Sequence, residues 1–187
     1  MGLAGLLATS CGGSDKVNSE AEARSAYLGL DLSVDKAIDL GFKGFAAAKS
    51  ANIDPQTAQG GKTGTMTVGG KVDQGASANK NMDLAVGLVK YSDDGKITYD
   101  TPADLAAQPK LMMMLKSFDK PGGDLSGTLA GDFDMSGDLA GKVTLTLSFV
   151  AKTEPDPASK VKRTAGQTHI TGSAVSSAGT YQVDVTR

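Results

Sequence analysis

From Leu125 to Phe149 the chain alternates almost without interruption between apolar or glycine residues and polar ones, and this constrains the fold more than any other feature. Odd positions carry Leu125, Leu129, Phe133, Met135, Val143, Leu145, Leu147 and Phe149. Even positions carry Asp124, Asp132, Asp134, Asp138, Lys142 and a series of Ser and Thr. A period of two places successive side chains on opposite faces of a strand, so one face is buried and the other wet, as antiparallel sheets allow. The run is longer than an ordinary strand and must fold back on itself. A two-residue hairpin pairs residues three apart and would reverse the parity. Kept parity requires an odd-length turn or a bulge, placed around Ser136 to Ala140.

The same period marks further strands at Gly64 to Val72, Met82 to Val89, Ile97 to Tyr99, and the closing hairpin Thr168–Val175/Tyr181–Val185. Lys110 to Phe118 fits a strand or a helix, and its Met112-Met113-Met114 reads as core filling. Glu154-Pro155-Asp156-Pro157 reads as a loop, because proline donates no ladder bond. One segment has helical period: Val34, Ala37, Ile38, Gly41, Phe42, Phe45 and Ala48 share a face, with Ser33 as N-cap and Asp54-Pro55 as the stop. Gly41 and Gly44 weaken that helix by about 1 kcal/mol each unless they let it lie close against a sheet. The expected fold is mainly β (α+β): an N-terminal amphipathic helix packed on a curved antiparallel sheet or partial barrel of roughly seven or eight strands.

The chain has a net charge of −2 and scattered Lys and Arg, which argues against a nucleic-acid partner. No stretch approaches the ~20 apolar residues of a membrane-spanning helix. His169 is the one histidine, too few for a histidine-based metal centre, and it reads as a strand-surface residue. No Ser sits in a G-x-S-x-G elbow. Asp132, Asp134, Ser136 and Asp138 resemble the opening of a calcium loop and are a weak calcium candidate. The EF-hand glutamate at the twelfth position is Val143 here, and the same acids fit the wet face of the alternation. No catalytic residues and no cofactor are assigned.

The single cysteine follows Met1 to Leu7 (MGLAGLL) and the small residues Ala8-Thr9-Ser10. The sequence Leu7-Ala8-Thr9-Ser10-Cys11 resembles the lipobox of bacterial lipoproteins, in which the cysteine is acylated and becomes the mature N-terminus. Two departures stand: Ala8 occupies the usual Leu position, and no Lys or Arg precedes the apolar run, as a start codon placed too far downstream would leave it. An ordinary N-terminus with a free thiol is the alternative. The resemblance implies a signal-peptide remnant over 1–10 and membrane attachment through Cys11. Residues 11–32, polar and small with the make-up of a short helix over Glu20 to Arg24, read as a tether, and 33–187 reads as a single domain. Gly12, where an Asp would favour retention at the inner membrane, implies the outer membrane of the cell envelope, facing periplasm or exterior. The expected role is structural or binding. The rivals are a carrier of a lipid or other apolar ligand in a sheet-and-helix cavity lined by Met112 to Met114, and a carboxylate-based hydrolase. The hydrolase would need two buried acids facing each other, whereas the acids read as lying in loops or on wet faces.

Labelled palmitate supplied to expressing bacteria is expected to enter the wild-type chain and not the Cys11→Ala variant. Equal incorporation by both would rule out acylation at Cys11.

Overall fold

The computed structural model describes residues 16–187; Cys11 and the lipobox-like segment lie outside these. The described chain opens with Ser19 as N-cap, its hydroxyl accepting from the Glu22 N–H while the Glu22 carboxylate accepts from the Asn18 N–H. Helix α1 spans Glu20–Leu28 and α2 spans Asp31–Ala47. Between them the Tyr99 hydroxyl donates to the Ala26 carbonyl at 2.8 Å, and a side chain on Gly29 would stand 2.3 Å from that oxygen. The junction therefore admits only glycine.

Nine antiparallel strands follow: β1 Asn52–Gln59, β2 Thr63–Val72, β3 Lys80–Ser92, β4 Ile97–Asp100, β5 Lys110–Lys116, β6 Gly123–Gly137, β7 Gly141–Asp156, β8 Lys160–Ser176 and β9 Gly179–Thr186. Neighbours in sequence are neighbours in space, except that β4 and β5 lie in tandem between β3 and β6. Met135 pairs with Gly141, so residues 136–140 form the odd-length connection that kept parity demands. The odd residues of β6 and β7 face the core and the even ones face solvent.

The sheet is curled. Helix α2 packs on β1, β2 and β3 near one edge and also on β8 near the other. Laid flat, those strands would span roughly 30 Å at about 4.8 Å per strand, well beyond the ~10–12 Å width of a helix. The glycines of α2 make the contact close: a Cβ on Gly41 would meet Met82 Sδ of β3 at 2.9 Å, and one on Gly44 would meet Ile53 Cβ of β1 at 2.9 Å. Ile38, Leu40 and Phe42 of α2, Met66, Leu84 and Leu88 of the sheet, and Tyr27, Tyr91 and Tyr99 fill the interior.

Several expectations are corrected. Helix α2 begins at Asp31, with Leu30 at the cap; the Ser33 hydroxyl donates to the Leu30 carbonyl and caps nothing. Asp54-Pro55 does not end the helix, which stops at Ala47, but lies in β1, an edge strand where proline is tolerated and the register shifts between Ile53 and Gln56. That strand brings the total to nine. Pro155 lies in β7 opposite Val161, at the far end of a long hairpin. The tether expected over 11–32 does not reach that far: Val17, Ala23, Ala26, Tyr27 and Leu30 are buried in the core.

Gly44→Ala is expected to lower stability, because overpacking against the unyielding Ile53 Cβ costs about 1–3 kcal/mol and exceeds the ~1 kcal/mol gained in helix propensity. Gly41→Ala meets the movable end of Met82 and should be near neutral. Urea denaturation midpoints of the two variants check the contrast.

Candidate functional site

The helices cover one face of the sheet and leave the other open. On the open face, register aligns Lys71, Asp83, Met112, Thr128 and Ser148 in one row across β2, β3, β5, β6 and β7. The next row runs Asn81, Met114, Ser126, Val150, His169. Met112 is 54% and Met114 44% exposed, whereas Met113 between them is buried at 4%. Core filling therefore holds for Met113 alone, since a strand must turn its neighbours outward. The two exposed thioethers stand beside the short side chains of Ser126 and Thr128, and the step in height forms a cleft of about 610 Å³. Gly127 lines it with bare backbone, and on the core side the Phe149 ring sits 2.6 Å from where a Cβ would stand.

A second cleft of about 580 Å³, lined by Val150, Lys152, His169 and Thr186, shares Ser126 with the first, so the two adjoin across β6. A third, of about 570 Å³, lies where Leu28 and Leu32 approach the β3–β4 and β6–β7 turns. The first two lie on the open face, whereas the third opens where the start of α2 meets Lys96 and Ile97, and a smaller one of about 360 Å³ lies between Asp31 and Asp35 of α2 and Arg163 to Thr168 of β8. Met112 and Met114 line neither of these, so the methionines are not part of a cavity between α2 and the sheet.

The acids considered earlier are dispersed. Asp132 accepts from Thr144 Oγ1 at 2.6 Å and pairs with Lys142 at 3.1 Å, and these two partners hold its carboxyl below the usual range. Asp134 lies two residues on in β6, Ser136 pairs with Thr98 of β4, and Asp138 is in the following turn. Among the described residues, no three His, Cys, Asp or Glu side chains converge as a cation would require. His169 is exposed, with Nε2 2.9 Å from Asp184 Oδ1 on the same open face.

Of three acids that read as wet, Asp31 and Asp93 have buried side chains and Asp35 is partly exposed. Asp31 and Asp35, one turn apart at the start of α2, both bind Arg163 of β8: Nη1 donates to Asp31 at 2.9 Å, and Nε and Nη2 donate to the two oxygens of Asp35 at 2.8 and 2.9 Å. Tyr27 donates to Asp31 at 2.7 Å, and burial among these groups pushes its hydroxyl pKa up. Asp93, in the β3–β4 turn, accepts from Lys36 of α2, from the Tyr91 hydroxyl and from the Gly61 N–H. Burial pushes its carboxyl up, but the bonds from Lys36, Tyr91 and Gly61 outweigh that and hold it below the usual range. Arg187 Nε stands 3.7 Å from the other Asp31 oxygen, so each of the three carboxylates has a cationic partner and serves as a structural tie, since an uncompensated buried charge would cost several kcal/mol. Sequence pattern missed them because their partners lie far along the chain; the only local signal was an acid pair at i, i+4 opening a helix.

The Asp93 carboxylate contributes stability at and above neutral pH that is lost as pH falls through its depressed folded-state pKa, below the ~3.9 of a free aspartate. Unfolding free energies of wild type and Asp93→Asn, measured from neutral pH down to acid, should differ most at neutrality and converge at low pH. Comparison with protein-family models, with characterised proteins and with solved structures gives no match to this chain, so its chemistry is argued from its own residues.

Proposed function

We propose that this chain is a lipid-anchored protein of the bacterial cell envelope whose folded domain binds an apolar ligand on the open face of its sheet and performs no catalysis. The methionine cleft carries the reading. Its volume falls within the ~300–1,000 Å³ of small-molecule sites, and its raised walls are the apolar Met112 and Met114, with Ser126 and Thr128 lower between strands and charged groups at the rim. Met112 and Met114 are unbranched and polarizable, so they adapt to a flexible chain such as an acyl tail, while Lys71, Asn81 and Asp83 border the cleft where a polar head would lie. The anchor is supported by the lipobox-like Leu7 to Cys11. With Val17 already in the core, only residues 12–16 separate Cys11 from the folded domain, six steps with a reach of at most ~21 Å at about 3.5 Å per residue. Such a tether keeps the domain against the membrane surface, within reach of lipid.

The full chain is expected to bind the polyene fatty acid cis-parinaric acid saturably, read by its fluorescence. Met112→Glu combined with Met114→Glu should weaken binding by about tenfold or more, given ~1.5 kcal/mol or more per buried methionine side chain. The melting temperature should change little, because both side chains are exposed. Absent binding, or binding indifferent to the double substitution, would sink the ligand reading and leave the anchor to the palmitate experiment.

A further inference from the structure

The two edges of the sheet are built differently. Strand β1 is blunted: Pro55 interrupts its donors and the register slips between Ile53 and Gln56. Strand β9 carries neither device. It pairs with β8 without a register shift from Gly179 to Thr186. Arg187 and Thr168 exchange both backbone bonds at 2.8 Å, so the odd residues of β9 point their N–H and C=O groups at β8. Those of Thr180, Gln182, Asp184 and Thr186 therefore point outward, and among the described residues nothing bonds to them. The four side chains are exposed. On the inner face of the same strand, Tyr181 and Val185 are apolar but only half buried.

We infer that β9 is a dimerisation edge, at which a second copy of this chain adds its own β9 antiparallel about a two-fold axis. The sequence of the strand selects the occupant. Full overlap of the four outward-pointing residues sets Thr180 of one copy opposite Thr186 of the other, and Gln182 opposite Asp184. No like charges meet, and every outward N–H and C=O of these residues finds a partner. The same register puts Val183 opposite Val183 and Tyr181 opposite Val185 on the inner face. An aromatic–β-branched pair of this kind is a favoured cross-strand contact, and it would cover the two apolar side chains that the monomer leaves half exposed. The arrangement is isologous and closes at two copies, because each chain offers one such edge and β1 cannot serve as another.

Sedimentation velocity of the full chain, in reducing buffer over a concentration series, is expected to show a reversible dimer. Gln182→Lys sets an ammonium opposite Asp184 at two symmetry-related positions, and Gln182→Asp sets a carboxylate there. The first should tighten and the second loosen the dimer, each by about tenfold at several tenths of a kcal/mol per cross-strand pair. Gln182→Pro removes an N–H that β8 does not use and should yield a monomer with an unchanged melting temperature. If that variant fails to fold, the opposite responses of the two charge variants decide alone. A chain that stays monomeric at every concentration, or a dimer indifferent to both charge variants, would overturn the assignment.

Discussion

Arg163 holds the architecture in its curled form. Its guanidinium, with the side chain 6% exposed, reaches from β8 to two successive turns at the start of α2, using a bidentate pair with Asp35 and further bonds to the Asp31 carboxylate and carbonyl. Helix α2 is fixed to the opposite end of the sheet by the close approach of Gly41 to β3 and Gly44 to β1. The helix thus bridges two parts of the sheet that are far apart along its strand order, and the sheet must bend to satisfy both. A guanidinium suits this position because its planar fork meets a carboxylate with two parallel bonds and fixes orientation as well as distance. The acids sit in the first turns of a helix, where the dipole favours negative charge, so Arg163 is met by carboxylates already stabilised in place.

The carboxylates at the start of α2 and in the β3–β4 turn are consumed by this scaffold. Asp31 and Asp35 share Arg163, and Asp93 is held by Lys36, Tyr91 and a backbone N–H, so each is tied to the fold rather than presented to a substrate. The interior is filled by the tyrosines, by α2 and by the inward residues of the sheet. What the fold presents to its surroundings is the open face, where Ser and Thr predominate and Met112, Met114 and Val150 rise above them.

The part of the fold that was legible in the sequence is the part with a short-range period. The alternation from Leu125 to Phe149 gave two strands, their facing and the odd length of their turn, all of which depend only on side chains two residues apart. The apolar face of α2 and the purpose of its glycines were equally readable. What escaped was long-range or locally ambiguous. Helix α1 was legible as a short helix over Glu20 to Arg24, but its extent to Leu28 and its burial were not, because they rest on Ala23, Ala26 and Tyr27 meeting β9, far along the chain. Strand β1 contains Asp54-Pro55, a local signal for breaking structure, and exists because β2 offers it a ladder. The methionine run illustrates the same limit at the site: three consecutive apolar residues gave no periodic cue to which faced out, and only pairing with β3 and β6 decided it.

The interruption between β4 and β5 gives the open face its relief. An unbroken strand there would leave the surface nearly flat, with little to hold a ligand. Instead residues 101–109 leave the ladder while two β3 donors facing them stay bonded, the Leu88 N–H to Thr101 Oγ1 and the Val86 N–H to the Pro109 carbonyl, both at 2.9 Å. The excursion sets Gln108 over Gly87, where a side chain would stand 2.7 Å from its amide, and the exposed Leu105 lines a small cleft of about 190 Å³ together with Lys71 and Asp83. Lys71 and Asp83 also border the methionine cleft. The broken strand therefore shapes the open face beside the methionine cleft, with Lys71 and Asp83 shared between that cleft and the smaller one Leu105 lines.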